Sequence, residues 1–143
     1  MRNFNDFGYD VNASALPQFV TITPHMMNDC HDTTIEFCGD FVEYFVLPLL
    51  KNKKVNDGKT LILLTFDENE TETEANQIFS ILLGDVIPDH LKGTTDNTFV
   101  THYSAISTVE ANWDLKSLGR QDTNPYSFLK ISCFYEKLIA SLT

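Results

Sequence analysis

Asp67 and Glu68 stand side by side where an apolar run ends, in the stretch TLILLTFDENETETE from Thr60 to Glu74. Adjacent carboxylates are natural ligands for a hard or borderline cation, because charge gathered at one place is costly without a counter-ion. Two more polar clusters carry side chains that ligate or move protons. One is His25-Met26-Met27-Asn28-Asp29-Cys30-His31-Asp32, and the other is His102-Tyr103-Ser104. Two carboxylates, Asp67 and Glu68, and two histidines, His31 beside Asp32 and His102, suit metal-assisted hydrolysis, with the carboxylates holding the cation and the imidazoles contacting or protonating the anionic group being transferred. The competing readings are an acidic loop facing water and, for each histidine singly, a structural role. His25 and His90 read as surface or loop residues without chemistry. DENETETE lacks the glycine and the alternating ligand order of an EF-hand loop. No GxSxG elbow, P-loop or GxGxxG occurs, and no obvious nucleophile is supplied.

These clusters need elements to position them. Leu61-Ile62-Leu63-Leu64 follows the turn signal Asn56-Asp57-Gly58, and its brevity and uniform apolarity predict a buried strand of a parallel sheet covered on both faces. The carboxyl end of that strand delivers Asp67 and Glu68 to the rim where open α/β sheets bind ligands. Gln18 to Thr23, between Pro17 and Pro24, predicts a second strand that leads into the His31 cluster. Thr33 or Thr34 caps a predicted helix running to Leu50, which Pro48 ends or kinks. Asn76 to Leu83 reads as a strand, and Thr98 to Thr101 as a short extended piece. Ser104 reads as the N-cap of a helix through Trp113. Tyr126 to Leu142 reads as an amphipathic helix, and Phe4 to Leu16 as a loop or short helix.

The chain has 143 residues, enough for one domain with a sizeable core, and 43% of them are hydrophobic. A net charge of -10 argues against a nucleic-acid backbone or an anionic membrane as partner. An anionic substrate therefore needs a local positive centre, for which the histidines and a metal are the candidates. Cys30, Cys38 and Cys133 form neither a disulfide framework nor a zinc knuckle, and permit at most one intrachain pair of unspecified identity. No window reaches the length of a membrane span, and Met1 to Asp6 lacks the apolar core of a signal peptide. Asn12-Ala-Ser14 and Asn69-Glu-Thr71 match the glycosylation sequon, a weak signal.

Several stretches in one order carry a resemblance. They are Ala15-Leu-Pro-Gln-Phe-Val-Thr-Ile-Thr-Pro24, Asn28-Asp-Cys-His-Asp-Thr33, Leu63-Leu-Thr-Phe-Asp-Glu-Asn-Glu70, Phe79-Ser-Ile-Leu-Leu-Gly-Asp85 and His102-Tyr-Ser-Ala-Ile-Ser-Thr-Val-Glu-Ala-Asn-Trp113. From about Asn3 to Arg120 the chain resembles the carboxyl-terminal half of fungal acid phosphatases, within the phosphoesterase family that also holds bacterial phospholipases C. The resemblance implies an incomplete alkaline-phosphatase-like domain, a three-layer α/β/α sandwich with a mostly parallel sheet, over residues 1–143 with a divergent tail at 121–143. It implies hydrolysis of phosphate monoesters on a phosphorylated small molecule, assisted by a divalent metal ion of unspecified identity. Asp67 and Glu68 would help hold that metal, His31 and His102 would face the phosphoryl group, and Asp32 would orient His31. It also implies secretion or cell-wall association of the full-length protein.

The chain departs from the family pattern in two ways. The resemblance implies that the family's Glu-Asn metal motif and nucleophilic hydroxyl belong to an amino-terminal half outside this sequence, so the isolated chain is expected to be weak or inactive. Cys30 occupies a place where glycine is usual. The alternative expectation is a non-catalytic remnant acting as a binding or interaction module.

Overall fold

Every residue of β2, Thr60–Thr65, is buried. By the two-residue alternation of a strand, Leu61 and Leu63 face one side of the sheet and Ile62 and Leu64 the other, so both faces must be covered. Its entry is a tight turn: Gly58 takes φ +80° and the Asp57 carboxylate accepts hydrogen bonds from the Lys59 amide at 2.9 Å and the Thr60 hydroxyl at 3.0 Å. The structure, a computed structural model, describes residues 1–123, 128 and 137–142. They fall into two units: Met1–Val86 with the strand at 137–142, and the described residues from Ile87 to 128.

The first unit is mixed α/β. Its elements are α1 (Asp6–Asn12), β1 (Phe19–Ile22), α2 (Ile35–Lys51), β2, β3 (Ser80–Leu83) and β4 (Lys137–Leu142). The sheet order is β1-β4-β2-β3, with β4 parallel to both β1 and β2 and β3 antiparallel to β2. Ile62 packs with Val11 of α1, Ile22 of β1, Leu49 of α2 and Val55, with Phe7, Phe45 and Leu50 against them. Burial of such side chains contributes about 1.5–3 kcal/mol each and is the main force closing α1 and α2 onto the sheet. Phe45 is the aromatic hub, with Phe4, Phe7 and Phe41 ring centroids 5.3 to 5.8 Å away. Buried Asn56 bridges two elements: its amide donates to Leu50 O at 2.8 Å and its Oδ1 accepts from the Asp85 amide at 2.6 Å.

Several expectations change. The tail helix is overturned where it is described: residues 137–142 are β4, between β1 and β2, and most of 126–136 lies outside the described residues. Leu138-Ile139-Ala140 is a short apolar run without a decisive period, and two strands needing parallel neighbours settle its conformation. Pro48 does not end α2, which continues through it to Lys51. Proline forfeits the bond to the Tyr44 carbonyl, but Tyr44 lies on the exposed flank while Leu49 holds the last turn in the core. β3 spans only Ser80–Leu83, because the Asn76 side chain is occupied in closing the preceding loop on Asn69. Thr98 to Thr101 forms no regular element.

In the second unit α3 spans Tyr103–Asn112, and the residue at its N-cap is His102 rather than Ser104. Ser104 is wholly buried inside the first turn, where its hydroxyl accepts from the Thr101 amide at 3.1 Å. Beyond α3, a turn at Gln121–Thr123 buries Asp122 to 4% exposure. Burial pushes the Asp122 carboxyl up, but donation from the Ser117 hydroxyl and the Leu118 and Arg120 amides outweighs it and holds the group at about 2. Glu110, on α3, is raised above its ordinary 4.5 by burial and by its hydrogen bond to Asp122.

The signs oppose each other. Glu110 favours the fold when protonated, so its contribution is full below 4.5 and lost as pH rises through its raised value. Asp122 favours the fold when ionised, so its contribution is full above 3.8 and lost as pH falls towards about 2. Protection factors of the α3 amides, exchange rates corrected for their intrinsic dependence on pH, should therefore be largest in moderate acid and smaller on either side, with Glu110→Gln flattening the alkaline limb. An alkaline limb unchanged in that variant counts against the pair.

Candidate active site at the carboxyl end of the central strand

β2 stops at Thr65, and the loop that follows carries the acid pair. Thr65 Oγ1 meets Ser80 Oγ at 2.7 Å, which pins the last β2–β3 rung, and the Phe66 and Phe79 rings lie 5.1 Å apart just beyond it. Asp67 Oδ1 accepts the Glu68 amide at 2.9 Å, so the turn is partly made by the carboxylate itself. Asn69 closes the loop: its amide donates to Asn76 Oδ1 at 2.8 Å and its side chain to Ala75 O at 3.2 Å. Asp67 and Glu68 are exposed, as ligands awaiting a cation or a solvent-facing pair would both be.

The His31 turn follows β1 through a 3-10 turn at Met26–Asn28. Its organiser is Asp29, whose Oδ1 accepts the His31 amide at 2.9 Å and the Asp32 amide at 3.2 Å. The His31 amide above all, aided by that of Asp32, holds the Asp29 carboxyl below its ordinary value. Asp32 enters this network through its backbone. The Thr33 hydroxyl donates to Met27 O at 2.8 Å, and Thr34 caps α2 by accepting the Phe37 amide at 3.3 Å. Cys30 is disulfide-bonded to Cys38, with the two Cα atoms 5.2 Å apart.

These two loops meet. An open cleft of about 510 Å³ is lined by His31, Glu68, Asn69, Glu70, Thr71, Glu72, Glu74 and Asn76. His31 and the acid loop thus share one rim of the sheet, while Asp67 and Asp32 are not among the lining residues. Four glutamates against one histidine give the cleft an excess of negative charge, a lining that favours cations over anions. Among the described residues no group of three or more His, Cys, Asp or Glu could hold a metal ion. His102 lies in the other unit, at the N-cap of α3.

Sequence reasoning passed over Asp29 and the Cys30–Cys38 pair. Asp29 was legible as an Asx-turn residue two positions before His31. The disulfide was not, since three cysteines allow three pairings.

Residues 1–116 match the Phosphoesterase family. Among curated proteins, a probable acid phosphatase of Kluyveromyces lactis is 57% identical over 122 residues, 85% of this chain and 29% of that protein. A phosphate-repressible acid phosphatase of Penicillium chrysogenum is 51% identical over 122 residues, with the same coverage of each. A phosphatidylinositol-3-phosphatase of Mycobacterium tuberculosis is 26% identical over 122 residues, 85% of this chain and 38% of that protein. The chain therefore spans about three-tenths of the length of the fungal relatives. No solved structure matches it significantly. On a match that covers most of its length, this chain belongs to the phosphoesterase family.

Proposed function

We propose that the chain is the segment of an acid-phosphatase-like phosphoric ester hydrolase that supplies the acid pair Asp67–Glu68 and the histidines His31 and His102, on an alkaline-phosphatase-like α/β/α fold. The observation that carries this reading is the cleft in which His31 meets the Glu68 loop at the carboxyl end of β2. Asp67 and Glu68 are hard oxygen donors and fit two positions of a divalent cation; further ligands lie outside the group they form. Such a cation supplies positive charge for the oxygens of a phosphate monoester. His31, in a turn held by Asp29, contacts or protonates a phosphoryl oxygen. His102 has a phosphoryl-facing role on the strength of the family resemblance, and the substrate is a phosphorylated small molecule. The Cys30–Cys38 disulfide supports an oxidising compartment, in keeping with secretion.

The test is a chimera in which this chain replaces the matching segment of the Kluyveromyces lactis relative, assayed on p-nitrophenyl phosphate at acid pH. The chimera should turn over, and His31→Ala should lower kcat/KM by roughly 10²-fold, the usual yield of a positioned acid or base. A folded chimera whose turnover ignores His31→Ala would remove this assignment.

One observation favours a second reading, a binding module without catalysis. Phe37, Tyr44 and Leu47 lie exposed along one flank of α2, an apolar stripe of the sort that contacts another surface. Turnover by the chimera decides against it.

A further inference from the structure

The geometry points to a disulfide clasp that positions His31: the Cys30–Cys38 bond ties the turn carrying the imidazole to α2, and reduction by a dithiol releases that turn. The inference rests on the reading of His31 as a phosphoryl-facing group for its functional meaning, and on geometry alone for its physical content.

Three observations carry it. First, Cys30 takes φ +66°, the left-handed region that residues with a Cβ adopt reluctantly, one position before His31. Something must hold the backbone there, and the disulfide at Cys30 does so covalently. Second, the other end of the tether is fixed. Cys38 is 2% exposed, and its amide donates to Thr34 O at 3.1 Å in the first turn of α2. Third, the remaining restraints on the turn are weak ones. His31 and Asp32 are exposed, and their amides are held by a single oxygen, Oδ1 of half-buried Asp29, in hydrogen bonds open to solvent. Hydrogen bonds of that kind open readily in water. A covalent link of eight residues' separation is therefore the dominant restraint on where the imidazole stands.

Cys30 is half-buried and Cys38 is buried, so Cys30 is the end of the bond that a small reductant approaches. A thiolate of the dithiol attacks Cys30 Sγ, the S–S bond breaks and Cys38 leaves as thiolate, which takes up a proton. The reductant's second thiol then displaces Cys30. Two electrons and two protons convert the disulfide to two thiols while the dithiol closes to a cyclic disulfide. The turn stays attached through Asp29 but loses its anchor on α2.

The test is amide exchange by NMR on the chain, with and without dithiothreitol, alongside iodoacetamide labelling. Neither Cys30 nor Cys38 should label before reduction, and both should label after it. Reduction should speed exchange of the His31 and Asp32 amides about tenfold while Leu61 to Leu64 of β2 stay protected. Cys30→Ser with Cys38→Ser should exchange fast at His31 regardless of dithiothreitol. Cys30→Gly with Cys38→Ser should be slower than that variant, because glycine adopts the left-handed conformation freely. Labelling without reductant, or unchanged exchange at His31 after reduction, overturns the clasp. If the double serine variant fails to fold, the wild-type exchange comparison decides. None of these readouts uses phosphate ester turnover, so the clasp and the hydrolase reading fail separately.

Discussion

Asp67→Ala in the chimera is expected to lower kcat/KM for p-nitrophenyl phosphate by about 10³-fold, roughly 4 kcal/mol of transition-state stabilisation. The effect should exceed that of His31→Ala because the cleft is electronegative throughout. Without a cation, the wall of glutamates repels an anionic ester before any proton transfer matters. Removing one carboxylate of the adjacent pair halves the charge that pair offers, and Glu68 alone is a poor site for a divalent ion. The fold should survive, since Asp67 is exposed and gives up only the Glu68 amide as partner among its described hydrogen bonds. Asp67→Asn sharpens the comparison: it keeps an acceptor for that amide but not the charge, and should lose nearly as much activity. Metal content of the purified variants, read by atomic emission, should fall in step. Full turnover with unchanged metal content in both variants would sink the acid pair as ligands.

Gly84→Ala should cost about 3 kcal/mol in unfolding free energy, through backbone strain and steric contact together. Gly84 takes φ +124°, which residues with a Cβ rarely adopt, and a Cβ there would lie 2.6 Å from Thr60 O. That atom is backbone at the start of the central strand, so it cannot swing aside. The same turn brings the Asp85 amide to Asn56 Oδ1 at 2.6 Å, so displacement also strains a buried hydrogen bond. Gly58→Ala is the control. Gly58 has φ +80° with nothing within 4 Å of a Cβ, and should lose about 1 kcal/mol from conformation alone. Urea unfolding followed by far-ultraviolet circular dichroism measures both. Equal losses at the two positions would mean that the approach to Thr60 carries no weight.

Some of this was legible from local pattern. Leu61 to Leu64 is short and uniformly apolar after a turn signal, which reads as a strand buried on both faces, and the acids that stop it then sit at its end. Thr34 heads a helix because its hydroxyl can take the Phe37 amide, a bond within one turn of chain. Ser104 misled because the same hydroxyl chemistry serves inside a first turn, where the contact with Thr101 buries it.

What the amino-acid order determined by itself was therefore which residues end a strand and which begin a helix, including the placement of Asp67, Glu68 and His31 in turns after strands. Only the tertiary structure decided that residues 137–142 enter the sheet between β1 and β2, that Cys30 pairs with Cys38, and that His31 and Glu68 line one cleft. The physical reason is range. Turns, caps and apolar runs are set by interactions among near neighbours in the chain, whereas strand partners and cleft walls are chosen by burial and backbone hydrogen bonding between segments far apart in sequence.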